Sequence, residues 1–194
     1  MIRFFDLIFS FFGLIVLSPM LILLWIIGKL ENGSPLLKQK RVGLNKKSFY
    51  LIKFRSMKKN TKYVATHLVN KSMITPYGYF LRYTKLDEIP QLWNVLIGEM
   101  SLVGPRPCLL NQKKLISERK KRGVFKVKPG ITGYAQILGV TMKTPVYLSK
   151  IDQTMIKQMN LNFYLYYILK TFLLSSSIKQ SKHSFVSTVN LKLE

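Results

Sequence analysis

Residues 7–27 read LIFSFFGLIVLSPMLILLWII, a run with no charged side chain and with Ser18-Pro19 near its middle. At about 1.5 Å per residue, a helix of this length reaches roughly 30 Å, the thickness of a bilayer's hydrocarbon core. Proline removes one backbone donor and strains the turn before it, at about 3 kcal/mol inside a helix, and lipid has no water to compensate. A bend at Pro19 is therefore expected. Three topologies fit the run: a cleaved signal peptide, a kinked spanning helix, and a re-entrant hairpin that enters and leaves on one face. The lack of a small-residue cleavage site weighs against the first, and Pro19 favours the last. Lys29, Lys38, Lys40, Arg41, Lys46 and Lys47 follow the run and only Arg3 precedes it, so the body of the protein is expected on the cytoplasmic side.

Outward from this segment, the remainder of the 194 residues has room for one modest domain. With 48% hydrophobic residues the chain can build a core. Its 31 basic and 8 acidic side chains, a net charge of +23, attract phosphates, whether on nucleic acid, anionic lipid or small substrates. Biased composition is the bland source of many surface lysines. A single cysteine, Cys108, excludes an intrachain disulfide, and His67 and His183 are too few for a Cys/His metal site. Any metal must then be a hard ion held by carboxylates or phosphates.

The turn cluster Glu31-Asn32-Gly33-Ser34-Pro35 closes the membrane segment. The alternating stretches Leu36–Val42 and Ser48–Phe54, joined by Gly43-Leu44-Asn45-Lys46-Lys47, predict a β-hairpin. Between residues 75 and 99 apolar side chains recur at helical spacing, interrupted by Pro90. Proline suits a first helical turn, which predicts a helix over 90–97, stopped by Gly98, with Asp87 and Glu88 just ahead of it. A very basic helix is expected over 110–122, between the rigid loops Gly104-Pro105-Arg106-Pro107 and Lys128-Pro129-Gly130-Ile131-Thr132-Gly133. The aromatic-rich residues 161–174 suit either a membrane interface or the core. The expected fold is α+β and mainly helical. Its parts are a proline-broken re-entrant membrane helix (1–30), a compact cytoplasmic domain with a short hairpin and interfacial helices (31–174), and a disordered tail (175–194).

Against this positive background the adjacent carboxylates Asp87-Glu88, followed by Glu99, stand out. Such a pair can bind Mg²⁺, act as a nucleophile or serve as a base. Free amides at the following helix start would favour a phosphate there; the plainer alternative is that both acids merely satisfy that helix end. Arg82, Lys85 and Arg106 supply cations that can clamp phosphates, and the flanking prolines pre-order Arg106. No P-loop, GxGxxG, GxSxG or His pair at metal spacing occurs, which argues against an NTPase, a Rossmann enzyme and a serine hydrolase.

The strings Leu86-Asp87-Glu88-Ile89-Pro90-Gln91-Leu92, Asn94-Val95-Leu96 and Gly98-Glu99-Met100-Ser101-Leu102-Val103-Gly104-Pro105-Arg106-Pro107 closely resemble the bacterial sugar transferase family of polyprenyl-phosphate phosphoglycosyl transferases. Phe5-Asp6, Leu17-Ser18-Pro19, Gln39-Lys40-Arg41-Val42-Gly43, Lys53-Phe54-Arg55-Ser56-Met57 and Lys128-Pro129-Gly130-Ile131-Thr132-Gly133-Tyr134-Ala135-Gln136 extend the likeness over residues 3–140. The resemblance implies a monotopic enzyme at the bacterial inner membrane and a two-step reaction. Asp87 would attack the β-phosphate of a UDP-sugar, release UMP and carry the sugar phosphate until polyprenyl (undecaprenyl) phosphate takes it. By the same likeness Glu88 would position Mg²⁺ or activate the lipid phosphate, and the pair would serve as the metal ligands. Arg82 and Arg106 would hold phosphate oxygens, with Lys53, Arg55, Gln91 and Glu99 lining the site. Beyond Gly139 the likeness thins: Asp152 matches a family aspartate and is carried as a substrate-binding candidate, whereas Tyr164 stands where the family has another aspartate.

Val64-Ala65-Thr66 and the stretch from Asn111 through Val124 look similar to members acting on N-acetylated 6-deoxyhexosamines in capsule or O-antigen assembly, with a hexose as the alternative. The expected partners are a UDP-sugar, polyprenyl phosphate and membrane lipid, with a homodimer left open and nucleic acid excluded. Two competing readings stand beside the transferase. A membrane-tethered basic binding module needs neither Asp87-Glu88 nor Pro-Arg-Pro, and an inactive relative is at odds with both acids being present.

Overall fold

The computed structural model describes residues 1–59 and 73–176. Helix α1 (Ile2–Asn32) passes through Pro19 as one element. The expected break is thus a single missing bond within a continuous helix. The amide that Pro19 lacks would have bonded the carbonyl of Ile15, and Ser18 Oγ donates to that oxygen instead, at 2.7 Å. This local repair satisfies a carbonyl that lipid could not. Gly33, at φ 67, ends the helix in the left-handed conformation that glycine adopts without penalty. By length and composition α1 could cross a membrane, and it is the one such helix among the described residues.

The hairpin forms over the expected stretches, β1 (Leu36–Val42) antiparallel to β2 (Ser48–Phe54), with Leu36 opposite Phe54 and Val42 opposite Ser48. Because side chains alternate, Gln39 and Arg41 share one face with Phe49, Leu51 and Lys53. That face turns inward: Phe49 and Leu51 pack with Val95 and Met100. Two cations, Arg41 and Lys53, are thereby carried on the core side of a strand pair.

Helix α2 (Pro76–Thr84) starts with Thr75 accepting from the Gly78 amide and Pro76 in the first turn. A Cβ at Gly78 would lie 2.0 Å from the Ser56 carbonyl, so only glycine permits this approach of helix and strand end. After α2, Lys85 takes a left-handed turn at φ 59, and Leu86–Glu88 forms a single 3-10 turn. The helix expected over 90–97 is α3 (Gln91–Leu96), with Pro90 at its cap.

The loops flanking the basic helix hold a second, parallel pair that the sequence did not announce, β3 (Ser101–Val103) beside β4 (Gly130–Thr132). Gly104 and Gly130 let the two backbones touch, since a Cβ on Gly130 would stand 2.0 Å from the Gly104 nitrogen. The basic helix, expected over 110–122, is the shorter α4 (Lys113–Lys121), because Gln112 folds back to accept from the Leu109 amide and makes residues 109–112 a turn. Then come α5 (Tyr134–Ile137), α6 (Pro145–Gln158) and α7 (Leu161–Ser176). The aromatic stretch proves two-sided: Tyr164 and Tyr167 are buried, whereas Phe163, Tyr166, Leu169 and Leu173 are exposed. The tail expectation lies outside the described residues from 177 onward, as does Val64-Ala65-Thr66.

Both ends of α1 bind the same domain. At its start Arg3 donates to the carbonyls of Val95 and Leu96, and Asp6 accepts from Ser101 Oγ, the Leu102 amide and the Tyr164 hydroxyl. Burial and the Asp6 carboxylate push the Tyr164 phenol up, which keeps it a donor. Toward the other end Leu24 packs on Phe54 and Leu81 and its carbonyl accepts from Tyr77, and in the last turn the Glu31 carboxylate accepts from Thr75 Oγ1 at 2.9 Å. Between these anchors Phe11, Phe12, Ile15 and Val16 are more than half exposed.

Candidate active site

The 3-10 turn between α2 and α3 brings Asp87 and Glu88 against strand β2. Neither carboxylate caps α3, so the plainer alternative, that the acids merely satisfy a helix end, has no support. Of the amides at that helix start, those of Glu88, Ile89, Leu92 and Trp93 already donate to backbone carbonyls, which leaves side-chain charge as the main feature of this site.

Asp87 is buried, 7% exposed, and is pushed up to about 6 by burial and by the adjacent Glu88. Lys53, Arg82 and Arg106 oppose that rise. Lys53 comes from the inward face of β2, and burial holds its ammonium below the usual lysine range while Asp87 pulls it back up. Arg82 lies one turn after Gly78 on the same helix face, and its Nε donates to the buried Ser56 Oγ at 2.8 Å. Burial lowers Arg82 and Asp87 raises it. Glu88 is also pushed up by burial, but the charge and hydrogen bond of Arg106 outweigh this and hold it below the ordinary carboxylate range. Arg106 grips Glu88 through both Nη atoms while its own side chain stays 45% exposed. The acid pair therefore splits into a buried Asp87 pushed up and a Glu88 held down by arginine.

The structure thus gathers Asp87, Glu88, Lys53, Arg82 and Arg106. The other sequence candidates are engaged as follows. Arg55 donates through Nε to the Ser34 carbonyl and ties the hairpin to the end of α1. Gln91 is buried on α3. Glu99 accepts from Asn94 Nδ2, and that fully buried asparagine also pairs with the Ile52 amide and the Tyr50 carbonyl, closing the free edge of β2. Asp152 is not at the acid pair: it is 1% exposed and ion-paired with Arg119 of α4.

Arg41 was missed as a site residue. It lies close enough to Arg106 and Glu88 to feel both charges, and burial with Arg106 brings it down to about 10. Strand parity held the signal: the hairpin register places Arg41 on the face that carries Lys53.

A hard divalent ion fits this site in one way. Among the described residues no cluster of three or more His, Cys, Asp or Glu could cage a metal. Two adjacent carboxylates, one of them Arg-bound, suit an ion that keeps most of its ligands from water and substrate phosphates, as Mg²⁺ does.

The sequence model of the family described as bacterial sugar transferase matches residues 1–177. The chain belongs to that family. It is 42% identical over 138 residues to the uncharacterized sugar transferase EpsL of Bacillus subtilis, covering 71% of this chain and 68% of that one. It is 42% identical over 141 residues to the UDP-glucose:undecaprenyl-phosphate glucose-1-phosphate transferase of Escherichia coli, covering 69% and 30%. Identity to the undecaprenyl-phosphate galactose phosphotransferase of Salmonella typhimurium is 37% over 165 residues, covering 75% and 34%. The chain thus spans about a third of the length of the last two relatives.

Proposed function

We propose that this chain transfers a sugar 1-phosphate from a UDP-sugar to polyprenyl phosphate, giving the polyprenyl-diphosphate sugar and UMP. The observation that carries the reading is the buried Asp87, unpaired with any single cation yet faced by Lys53, Arg82 and Arg106. Together with Arg41 these give four cations around two carboxylates, an excess of positive charge that matches a diphosphate.

Asp87 attacks the sugar-bearing β-phosphorus, and the bond from that phosphorus to the UMP oxygen breaks with its electrons leaving on UMP. An oxygen of polyprenyl phosphate then attacks the same phosphorus, and the bond to Asp87 breaks to restore the carboxylate. A nucleophile that is ionised at pH 7 but poorly solvated suits the first step, because little hydration must be stripped from it. Arg106 and Arg82 hold phosphate oxygens, and Glu88 with Asp87 would hold Mg²⁺, which when bound neutralises diphosphate charge.

The arrangement of α1 supports a monotopic, re-entrant anchor with the domain at the cytoplasmic face of the inner membrane. What supports this is that the first and last turns of α1 both bind one domain, as an anchor that enters and leaves on one side requires. The exposed Phe163 and Tyr166 of α7 are side chains suited to an interfacial contact with lipid. Initiation of a surface polysaccharide is the role this product fits.

The test is UMP release by detergent-solubilised protein with Mg²⁺, polyprenyl phosphate and a panel of UDP-sugars. That panel includes UDP-glucose, UDP-galactose and UDP-linked N-acetylated 6-deoxyhexosamines. Sugar-selective UMP from the native chain, lost in Asp87→Asn, is expected. With the lipid phosphate withheld, intact mass should show a sugar-phosphate adduct on the native chain and none on Asp87→Asn. Release of UDP would instead mean ordinary glycosyl transfer.

A further inference from the structure

The Pro105-Arg106-Pro107-Cys108 segment is held in an unusual way. Two of its four residues are prolines and donate nothing, so the segment must be fixed through its carbonyls. Four successive carbonyls each accept from a different donor. Pro105 O accepts from the Gly130 amide at 3.0 Å, and Cys108 O from the Val42 amide at 3.0 Å. The two between them are gripped by arginine side chains: Arg106 O by Arg119 Nη1 at 2.7 Å, and Pro107 O by Arg41 Nη1 at 3.0 Å.

Arg119 is an expensive residue for a structural hydrogen bond. Its side chain is 2% exposed, and its charge is met by Asp152 of α6, itself 1% exposed, with Nε and Nη2 both near Asp152 Oδ2 at 2.9 and 2.8 Å. A buried ion pair contributes little net stability, because desolvation offsets its attraction, and a well-packed apolar pair would serve the core as well. What an apolar pair could not do is present a rigid donor to the Arg106 carbonyl. The Arg106 side chain in turn is the group that holds Glu88.

We infer that Arg119, fixed by Asp152, is a positioning residue for the transfer reaction, setting the Arg106 guanidinium against Glu88 by holding the Arg106 carbonyl. This rests on the proposed transferase reading. Asp152 thereby acquires a role at one remove, through α4 and the loop, instead of contacting substrate. Arg41 is the second grip, holding the Pro107 carbonyl from the hairpin side.

The test is a double-mutant cycle on UMP release, using Arg119→Lys, Arg106→Ala and the double variant in the full chain. Lysine keeps the charge opposite Asp152 but has no second arm for the Arg106 carbonyl. Displacing a catalytic cation by about an ångström can cost on the order of a hundredfold. A ten- to hundredfold loss in kcat is therefore the expected scale for Arg119→Lys. In the Arg106→Ala background the same substitution should cost less than twofold, because nothing remains for it to position. A merely structural role predicts equal losses in both backgrounds, and that result would overturn the inference.

Should Arg119→Lys fold poorly, Asp152→Asn, which removes the carboxylate that fixes Arg119, enters the same cycle, with the same expectations and the same overturning result. If the native chain releases no UMP from any donor, the transferase reading fails first, and that outcome is distinct from an additive cycle.

Discussion

Asp87 and Glu88 are neighbours in sequence with opposite electrostatics, and burial alone does not explain the split. The difference is one partner: Arg106 bonds Glu88, while Asp87 receives only the diffuse attraction of three cations. Asp87 sits above the ordinary carboxylate range when folded, so its ionisation opposes folding. Its stabilising contribution is fully present below the unfolded value near 3.9 and is lost as pH rises through about 6. Asp87→Asn should accordingly raise thermal stability at pH 7.5, by at most about 3 kcal/mol, with the gain vanishing below pH ~4. Thermal unfolding of the nucleotide-free, Mg²⁺-free protein at the two pH values measures this. For the reaction, kcat/KM should climb through about pH 6 as Asp87 ionises. Arg82→Gln should move that limb upward, because Arg82 holds Asp87 down; a limb unchanged in Arg82→Gln would mean another group titrates.

At the scale of elements, the site depends on close approaches that a single methyl would prevent. Gly78 lets α2 lie on the end of β2, and Arg82 reaches Ser56 as a consequence. Gly78→Ala should cost roughly 1–3 kcal/mol in stability and weaken activity as well, since the helix must lift away with Arg82 on it. Asn94 does a different job, replacing a third strand by pairing its amide with both backbone groups of β2. Asn94→Leu, similar in volume but without donors, should lower stability by about 2 kcal/mol or more and leave Glu99 without this partner. Denaturant unfolding in detergent would check both. An Asn94→Leu chain as stable as the native one would show that water replaces the amide.

For the molecule as a whole, the first and last turns of α1 are fastened to one domain, and the proposed re-entrant topology rests on that. With Cys108 buried, a Phe4→Cys variant carries one accessible thiol at the start of the helix. A membrane-impermeant maleimide should label it only after the cytoplasmic face is opened; labelling from outside intact cells would mean that α1 spans. The sequence by itself determined the long apolar segment, the hairpin with its register parity, the acid pair and the arginine between prolines. Each of these is a local matter, written in hydropathy, alternation or turn chemistry, or in a run long enough to resemble a family. It could not determine that Pro19 leaves α1 continuous, because Ser18's repair of the Ile15 carbonyl depends on a side-chain rotamer. Nor could it show that Glu99 bonds Asn94 and Asp152 pairs with Arg119, or find Arg41 and Arg119 around the Pro-Arg-Pro loop. Those assignments follow from contacts between residues as far apart as Arg119 and Asp152, or Asp6 and Tyr164. Only the tertiary structure decides which charge is buried against which, because the burial that shifts a pKa or makes an arginine rigid is supplied by elements distant in the chain.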